Sequence, residues 1–102
     1  MKKGRFLKND SFVIYYKEND LPYNRYGISV GKKIGNAVIR NKYKRKLRAI
    51  IDNYKKDYIK SQDYIIILRE KAKEAEYDEL NTKLIDLFNR IGKEIQWKKK
   101  LN

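Results

Sequence analysis

The chain has 102 residues, a length typical of one domain. It contains neither cysteine nor histidine, which excludes disulfides and thiolate metal sites and removes the commonest general base and catalytic zinc ligand. Lysine and arginine number 26 against 13 acidic residues, a net charge of +13. The 41% hydrophobic and 13% aromatic content predicts a folded globule rather than a disordered basic tail.

The excess positive charge is concentrated in residues 21–51, which contain no acidic residue. Repulsion at this density destabilises a compact state unless a polyanion neutralises it. A merely solubilising surface normally mixes both signs, so the pattern favours a nucleic-acid partner over a membrane surface or an acidic protein. The basic residues of this stretch are Arg25, Lys32, Lys33, Arg40, Lys42, Lys44, Arg45, Lys46 and Arg48.

No segment of the sequence has the character of a membrane anchor. Residues 1–12 are too polar for a secretory signal, and no run approaches the ~20 apolar residues of a spanning helix. We therefore expect a cytoplasmic protein with no membrane partner.

Two strand patterns come first. Residues 12–16 form a β-branched and aromatic run, and residues 25–30 alternate with a period of two. A turn containing Pro22, the single proline, predicts that the two strands pair as an antiparallel hairpin. The polar-side residues of the second strand are Arg25, Gly27 and Ser29.

A helix is predicted next, beginning after Asn36, a good N-cap residue, and running to about Tyr58. Its apolar residues recur at helical spacing and predict a buried stripe. They are Ile39, Tyr43, Leu47, Ile50, Ile51, Tyr54 and Tyr58.

The remaining elements complete a β-β-α-β-α order. Residues 63–68 predict a central strand buried on both faces, and its long helical connection to the hairpin favours parallel pairing. Residues 77–91 predict a last helix that stops at Gly92, with a frayed basic tail over residues 93–102. We expect one α+β domain over residues 1–102, a small two-layer sandwich of sheet and helices.

The first helix is predicted to have two faces. On a helical wheel, a cationic face lies opposite the apolar stripe, and a polyanion would relieve its i,i+4 repulsion. Arginine forks suit phosphate oxygens, and an asparagine can contact a base edge or a 2′-hydroxyl. The alternative is an amphipathic helix whose solvated side happens to be basic. The cationic face comprises Arg40, Asn41, Lys44, Arg45 and Arg48, and Lys32 and Lys33 extend it before the helix.

Residues 31–48 (GKKIGNAVIRNKYKRKLR) closely resemble the signature of bacterial ribonuclease P proteins. In that family, a Lys-Lys-x-Gly-x-Ala-Val-x-Arg-Asn segment runs into the so-called RNR helix, Arg-Asn-x-x-Lys-Arg-x-x-Arg. The five residues of the cationic face fill this pattern without a gap. The resemblance extends over roughly residues 10–92 and includes a buried strand followed by Arg69.

The resemblance implies a fold like the second domain of ribosomal protein S5, with an unusual left-handed crossover between parallel strands. Family members usually begin with a helix whose aromatic residues line a cleft for the RNA leader. This chain reaches its first strand at about residue 12, so we expect that helix to be missing.

The resemblance also implies a function: the protein subunit of ribonuclease P, which promotes removal of the 5′ leader from precursor tRNA. Lys32, Lys33 and the cationic face would contact the catalytic RNA. Tyr15 lies in a segment similar to the family's cleft strand and would contact the single-stranded leader, together with Arg25 and Ser29. Stacking of bases on an aromatic ring makes this role reasonable for Tyr15, whose alternative role is ordinary core packing.

The protein itself is not expected to cut RNA. Without histidine, cleavage would need carboxylates that hold metal ions, yet the acidic residues cluster at residues 70–79, away from the basic face. Gly27 to Lys33 superficially resembles a phosphate-binding loop, but a spacer is missing and no Ser or Thr follows the lysine, so no nucleotide cofactor is expected. The resemblance implies that the RNA subunit binds the Mg²⁺ ions and performs the cut.

Two other classes remain as alternatives. A non-catalytic ribosomal or RNA-chaperone-like protein of similar fold would also bind RNA through a basic helix. A duplex-DNA binder is less favoured, because no paired helix-turn-helix pattern accompanies the cationic helix.

Overall fold

A computed structural model describes residues 4–54 and 61–101, with side chains as far as residue 97. Four strands form one sheet: β1 (Arg5–Lys8), β2 (Phe12–Glu18), β3 (Arg25–Val30) and β4 (Gln62–Leu68). Two helices, α1 (Ala37–Tyr54) and α2 (Tyr77–Leu101), pack on one face of this sheet. The α+β two-layer architecture is confirmed. The predicted end of α1 near Tyr58 lies outside the described residues.

The spatial order of the strands is β1-β2-β4-β3. β2 pairs antiparallel with β1 and with β4, whereas β3 pairs only with β4, in parallel. The predicted hairpin between β2 and β3 is therefore wrong, because β4 lies between them. The parallel pairing of β4 with β3, across the helical connection, is confirmed.

The turn between β2 and β3 explains this arrangement, because its polar groups bind the start of β4. The Asn19 side chain donates to Asp63 at 2.8 Å, and Asn24 Oδ1 accepts the Gln62 backbone N–H at 2.8 Å. Ser61 Oγ donates to the Leu21 carbonyl at 2.6 Å. These bonds hold β2 and β3 apart with β4 between them. The residue composition of the sequence does not predict these hydrogen bonds.

β1 was not predicted, and it gives the described chain a β-β-β-α-β-α order. Asn9 shapes the turn after it, since its Oδ1 accepts the backbone N–H groups of Ser11 and Phe12 at 3.0 and 2.9 Å. The described residues before β2 contain a strand and no helix.

The sheet has one covered and one open face. Tyr64, Ile66 and Leu68 of β4 are buried beneath the helices, but Ile65 is 51% exposed on the other side. The prediction that β4 is buried on both faces is therefore wrong, because both helices lie on the same side. The fully buried residues of the core include Phe12, Ile14, Leu47, Ile50, Leu80, Leu84, Leu87 and Ile91.

An aromatic cluster joins the two layers. Phe88 of α2 stacks on Tyr54 of α1 at 5.2 Å between ring centroids and meets Tyr64 edge-on at 5.5 Å. Tyr64 in turn stacks on Tyr26 of β3 at 5.1 Å. Contacts of this geometry contribute beyond simple burial, so they fix α1 firmly relative to the sheet.

α2 does not stop at Gly92 and continues to Leu101, so the predicted stop is wrong. The predicted frayed tail extends to residue 102, outside the described residues, and stays a prediction. Gly92 is buried, and Ile95 beyond it still packs against the core. A glycine inside a helix costs only about 1 kcal/mol, which the burial of another apolar turn offsets.

Candidate nucleic-acid interface

The start of α1 is fixed by a glycine and a capping residue. Asn36 Oδ1 accepts the Ile39 backbone N–H at 3.0 Å, and the Asn36 carbonyl accepts that of Arg40 at 2.9 Å, which confirms the predicted N-cap. A Cβ added at Gly35 would lie only 2.8 Å from Ile39 Cγ2. The close approach of this turn to the helix therefore requires glycine, and it sets the direction in which α1 leaves the sheet.

The predicted apolar stripe of α1 is confirmed in part, because Ile39 at its start is 40% exposed. Leu47, Ile50 and Ile51 are buried against the core. Of the predicted cationic face, Asn41, Arg45 and Arg48 are exposed, whereas Arg40 and Lys44 are half-buried. Lys32 and Lys33, in a 3-10 turn just before α1, are both exposed. The seven predicted RNA contacts therefore lie along α1 and the turn before it, with Arg40 at the buried edge of the cationic face.

The cations of this face have no acidic partner among the residues that the structure describes. In the part of the chain that the structure describes, no ion pair involves Lys32, Lys33 or any cation of the cationic face. Arg40 Nε is buried and has no hydrogen-bond partner. Apart from Arg25, the basic residues of the acid-free stretch have no acidic partner among the described residues. The ion pairs in the described part are Arg25–Asp63, Lys83–Asp10 and Arg90–Asp86.

Tyr15 lies on the open face of the sheet, which we define as the side away from the helices. It is 46% exposed, so the alternative that it packs in the core is wrong. Residues in register across neighbouring strands share a face, and successive residues alternate between faces. By that register, the open face carries Phe6 and Lys8 of β1; Val13, Tyr15 and Lys17 of β2; Asp63, Ile65 and Ile67 of β4; and Arg25, Gly27 and Ser29 of β3.

The three predicted leader contacts, Tyr15, Arg25 and Ser29, therefore occupy one face. Arg25 is not free there, because its guanidinium donates to both carboxylate oxygens of Asp63, at 2.8 and 2.6 Å. That hydrogen bonding, with a further bond from Asn19, lowers the pKa of Asp63 to about 2. The roles of all ten predicted site residues stay predictions.

Sequence reasoning missed two exposed apolar residues of the open face. Phe6 is 52% exposed and its ring lies 5.5 Å from that of Tyr15, and Ile65 flanks Tyr15 on β4. β1 has only four residues, too few for a periodicity signal, so the placement of Phe6 depends on strand pairing.

Within residues 4–54 and 61–97, no three carboxylates converge where they could hold a metal ion. Of the acidic residues at positions 70–79, Glu70 lies in a 3-10 turn and Asp78 and Glu79 in the first turn of α2. Glu74 and Glu76 lie in the segment between the two. Among the described helices, none is long and apolar enough to cross a membrane.

The fold and its surface together define a small basic α+β protein with one strongly cationic helix. A model of the family "Ribonuclease P" matches residues 1–92. The ribonuclease P protein component of Mycoplasma capricolum is 51% identical over 86 residues, which cover 83% of this chain and 79% of that protein. That of Bacillus cereus is 41% identical over 92 residues, covering 89% and 80%.

Solved structures give the same result. The ribonuclease P protein of Thermotoga maritima superposes with a TM-score of 0.79 at 34% identity, covering 86% of this chain and 84% of that one. That of Staphylococcus aureus gives 0.77 at 36% identity, covering 86% and 81%. The chain belongs to the ribonuclease P protein component family. It is thus the protein part of a ribonucleoprotein endoribonuclease of tRNA processing.

Proposed function

We propose that this protein binds the catalytic RNA of ribonuclease P through the cationic face of α1. In the same complex, the open face of the sheet holds the 5′ leader of precursor tRNA. The protein thereby promotes the Mg²⁺-dependent endonucleolytic removal of the leader. Its partners are the ribonuclease P RNA and precursor tRNA, with no membrane and no nucleotide cofactor.

The observation that supports this proposal most strongly is the unpaired charge of α1. Arg40, Lys44, Arg45 and Arg48 are held on a rigid helix, and no acidic side chain within the described residues pairs with them. Neighbouring like charges on a helix are unfavourable, and phosphate groups would relieve that repulsion. Family membership supports ribonuclease P RNA as that polyanion.

The protein's contribution to the reaction is indirect. It has no histidine, and its described part has no group of three carboxylates that could hold a metal ion. Its described side chains therefore do not fit a hydrolytic metal centre. We assign Mg²⁺ to the RNA subunit, where the chemistry takes place. The protein lowers the repulsion between RNA segments and places the leader, which reduces the Mg²⁺ concentration that the RNA needs.

Reconstitution tests this proposal. The protein is combined with a bacterial ribonuclease P RNA, and precursor tRNA cleavage is measured across a Mg²⁺ series. We expect the protein to accelerate cleavage most at low Mg²⁺ and progressively less as Mg²⁺ replaces its charge. Equal rates with and without protein at low Mg²⁺ would contradict the proposal.

A control variant separates specific from general charge effects. Arg90→Ala removes one exposed arginine of α2, outside the cationic face, and should leave the acceleration intact. RNA co-purified with the protein gives a further check against a ribosomal or chaperone-like role. One abundant folded RNA of several hundred nucleotides is expected, whereas ribosomal RNA would favour the alternative.

A further inference from the structure

An apolar row crosses the open face of the sheet. The register places Phe6 opposite Tyr15, Tyr15 opposite Ile65, and Ile65 opposite Gly27. All four strands therefore contribute one residue to a single line perpendicular to the strands. With neighbouring strands about 4.8 Å apart, the line is about 14 Å long.

Three large apolar side chains in this row are each about half exposed. Single exposed apolar residues are ordinary, but a contiguous patch on a small protein usually marks a binding surface. Phe6 and Tyr15 lie side by side with ring planes tilted by 41°, so neither ring covers the other completely. Each ring therefore offers surface on which a planar group could stack.

The backbone conformation at position 27, at the end of the row, does not require a glycine. The φ angle of Gly27 is not positive, and a Cβ added there would meet only the Tyr64 carbonyl oxygen, at 3.8 Å. A β-branched residue would suit this edge strand better than glycine, which weakens strands. The missing side chain leaves open space beside Ile65, at the β3 edge of the row.

The charges around the row favour a nucleic acid over a protein partner. Lys8, Lys17 and Arg25 occupy the same face, and its one acidic residue among the described positions, Asp63, is already bonded to Arg25. Aromatic rings flanked by cations suit single-stranded RNA, in which each base offers a stacking face and each phosphate a negative charge.

We propose that Phe6 provides a second base-stacking position for the leader, beside Tyr15. We further propose that the absence of a side chain at Gly27 leaves room for the RNA to pass over the β3 edge of the sheet. The inference rests on the proposed function, since it assumes that the leader lies on the open face. It adds two specificity-determining residues outside the predicted leader contacts and places them at opposite ends of one row.

The test measures how much the leader contributes to binding. Holoenzyme is assembled with wild-type protein, Phe6→Ala, Gly27→Val or the control Tyr77→Ala, which removes another exposed aromatic residue from the start of α2. For each, the Kd for mature tRNA is divided by the Kd for precursor tRNA. Phe6→Ala should lower this ratio about 5- to 100-fold, the range of one base–aromatic stack, and Tyr77→Ala should leave it unchanged.

Gly27→Val should also lower the ratio, because its side chain fills the clearance, while thermal unfolding shows that the fold is intact. A series of precursor tRNAs, each with one abasic nucleotide at a different leader position, identifies the stacked base. At one position, base removal should weaken binding to wild type but not to Phe6→Ala, since the interaction is already lost in the variant.

The outcomes separate this inference from the proposed function. A wild-type holoenzyme that binds precursor and mature tRNA equally would overturn both. A wild-type preference for precursor that persists in full in both Phe6→Ala and Gly27→Val would overturn the inference alone, and would leave the apolar row to a protein partner.

Discussion

Arg45 shows most clearly how one side chain of α1 could serve RNA binding without serving the fold. It is exposed, and no ion pair of the described residues involves it. Its planar guanidinium can bond two phosphate oxygens at once, which a lysine ammonium cannot do. Its charge and its fork geometry can therefore be tested separately.

We predict that Arg45→Ala weakens binding to ribonuclease P RNA and reduces the slope of log Kd against log salt by about 0.7 to 0.9, one phosphate contact. Arg45→Lys should keep the slope but still bind more weakly, because the charge remains and the fork is lost. Filter binding over a salt series measures both. An unchanged slope in Arg45→Ala would exclude a phosphate contact at this residue.

Asp63 is the residue whose ionisation bears most on stability in acid. Its pKa is lowered to about 2 from an ordinary value of 3.8, chiefly by the hydrogen bond from Arg25. A carboxylate with a lowered pKa in the folded state stabilises the fold above its unfolded pKa. That stabilisation is lost as the pH falls from about 4 through about 2.

The variant Asp63→Asn tests this assignment. Wild type should be more stable than the variant at neutral pH, and the difference should shrink between about pH 4 and pH 2 as wild-type Asp63 becomes protonated. Denaturant unfolding at each pH gives the two stabilities. A difference that stays constant down to pH 2 would show that the Arg25 bond does not control this carboxyl.

At the scale of the element, the capping of α1 links fold stability to the presentation of the cationic face. Asn36→Ala removes the side-chain acceptor for the Ile39 N–H and should destabilise the protein by about 1 kcal/mol. For a domain of this size, Tm should fall by roughly 4–8 °C. Asn36→Ser keeps an acceptor and should retain most of the stability. Equal Tm values for wild type and Asn36→Ala would contradict this role.

The elements also show what sequence patterns can and cannot determine. α1 was predicted well because its apolar stripe, cap and charges all follow from local spacing. The end of α2 was misplaced at Gly92, since the helix is stabilised beyond it by tertiary burial of Ile95, which a local signal does not reveal. β1 was missed because four residues carry too little periodicity.

At the scale of the whole molecule, the sheet order was the main feature beyond the reach of the sequence. Asn19, Asn24 and Ser61 join the β2–β3 turn to the start of β4, and these long-range hydrogen bonds place β4 between two strands that follow each other in the chain. The open face follows from that order. The cationic face did not depend on it, which is why its residues were predictable and the apolar row was not.

In the proposed function, the two surfaces of the molecule bind different parts of the RNA. We propose that the cationic face of α1 contacts folded RNA mainly through phosphates, and that the open face of the sheet contacts a single strand through bases. Binding to the RNA subunit should therefore depend steeply on salt, and discrimination between leaders should depend on the aromatic residues.

The salt dependence of binding to ribonuclease P RNA tests the central claim most directly, using wild type and a variant with Lys44, Arg45 and Arg48 all replaced by alanine. The account predicts that the folded triple variant binds much more weakly, with a slope of log Kd against log salt reduced by about 2 to 3, equivalent to three phosphate contacts. A triple variant that is folded and keeps the wild-type affinity and slope would contradict the claim that α1 is the RNA-binding element.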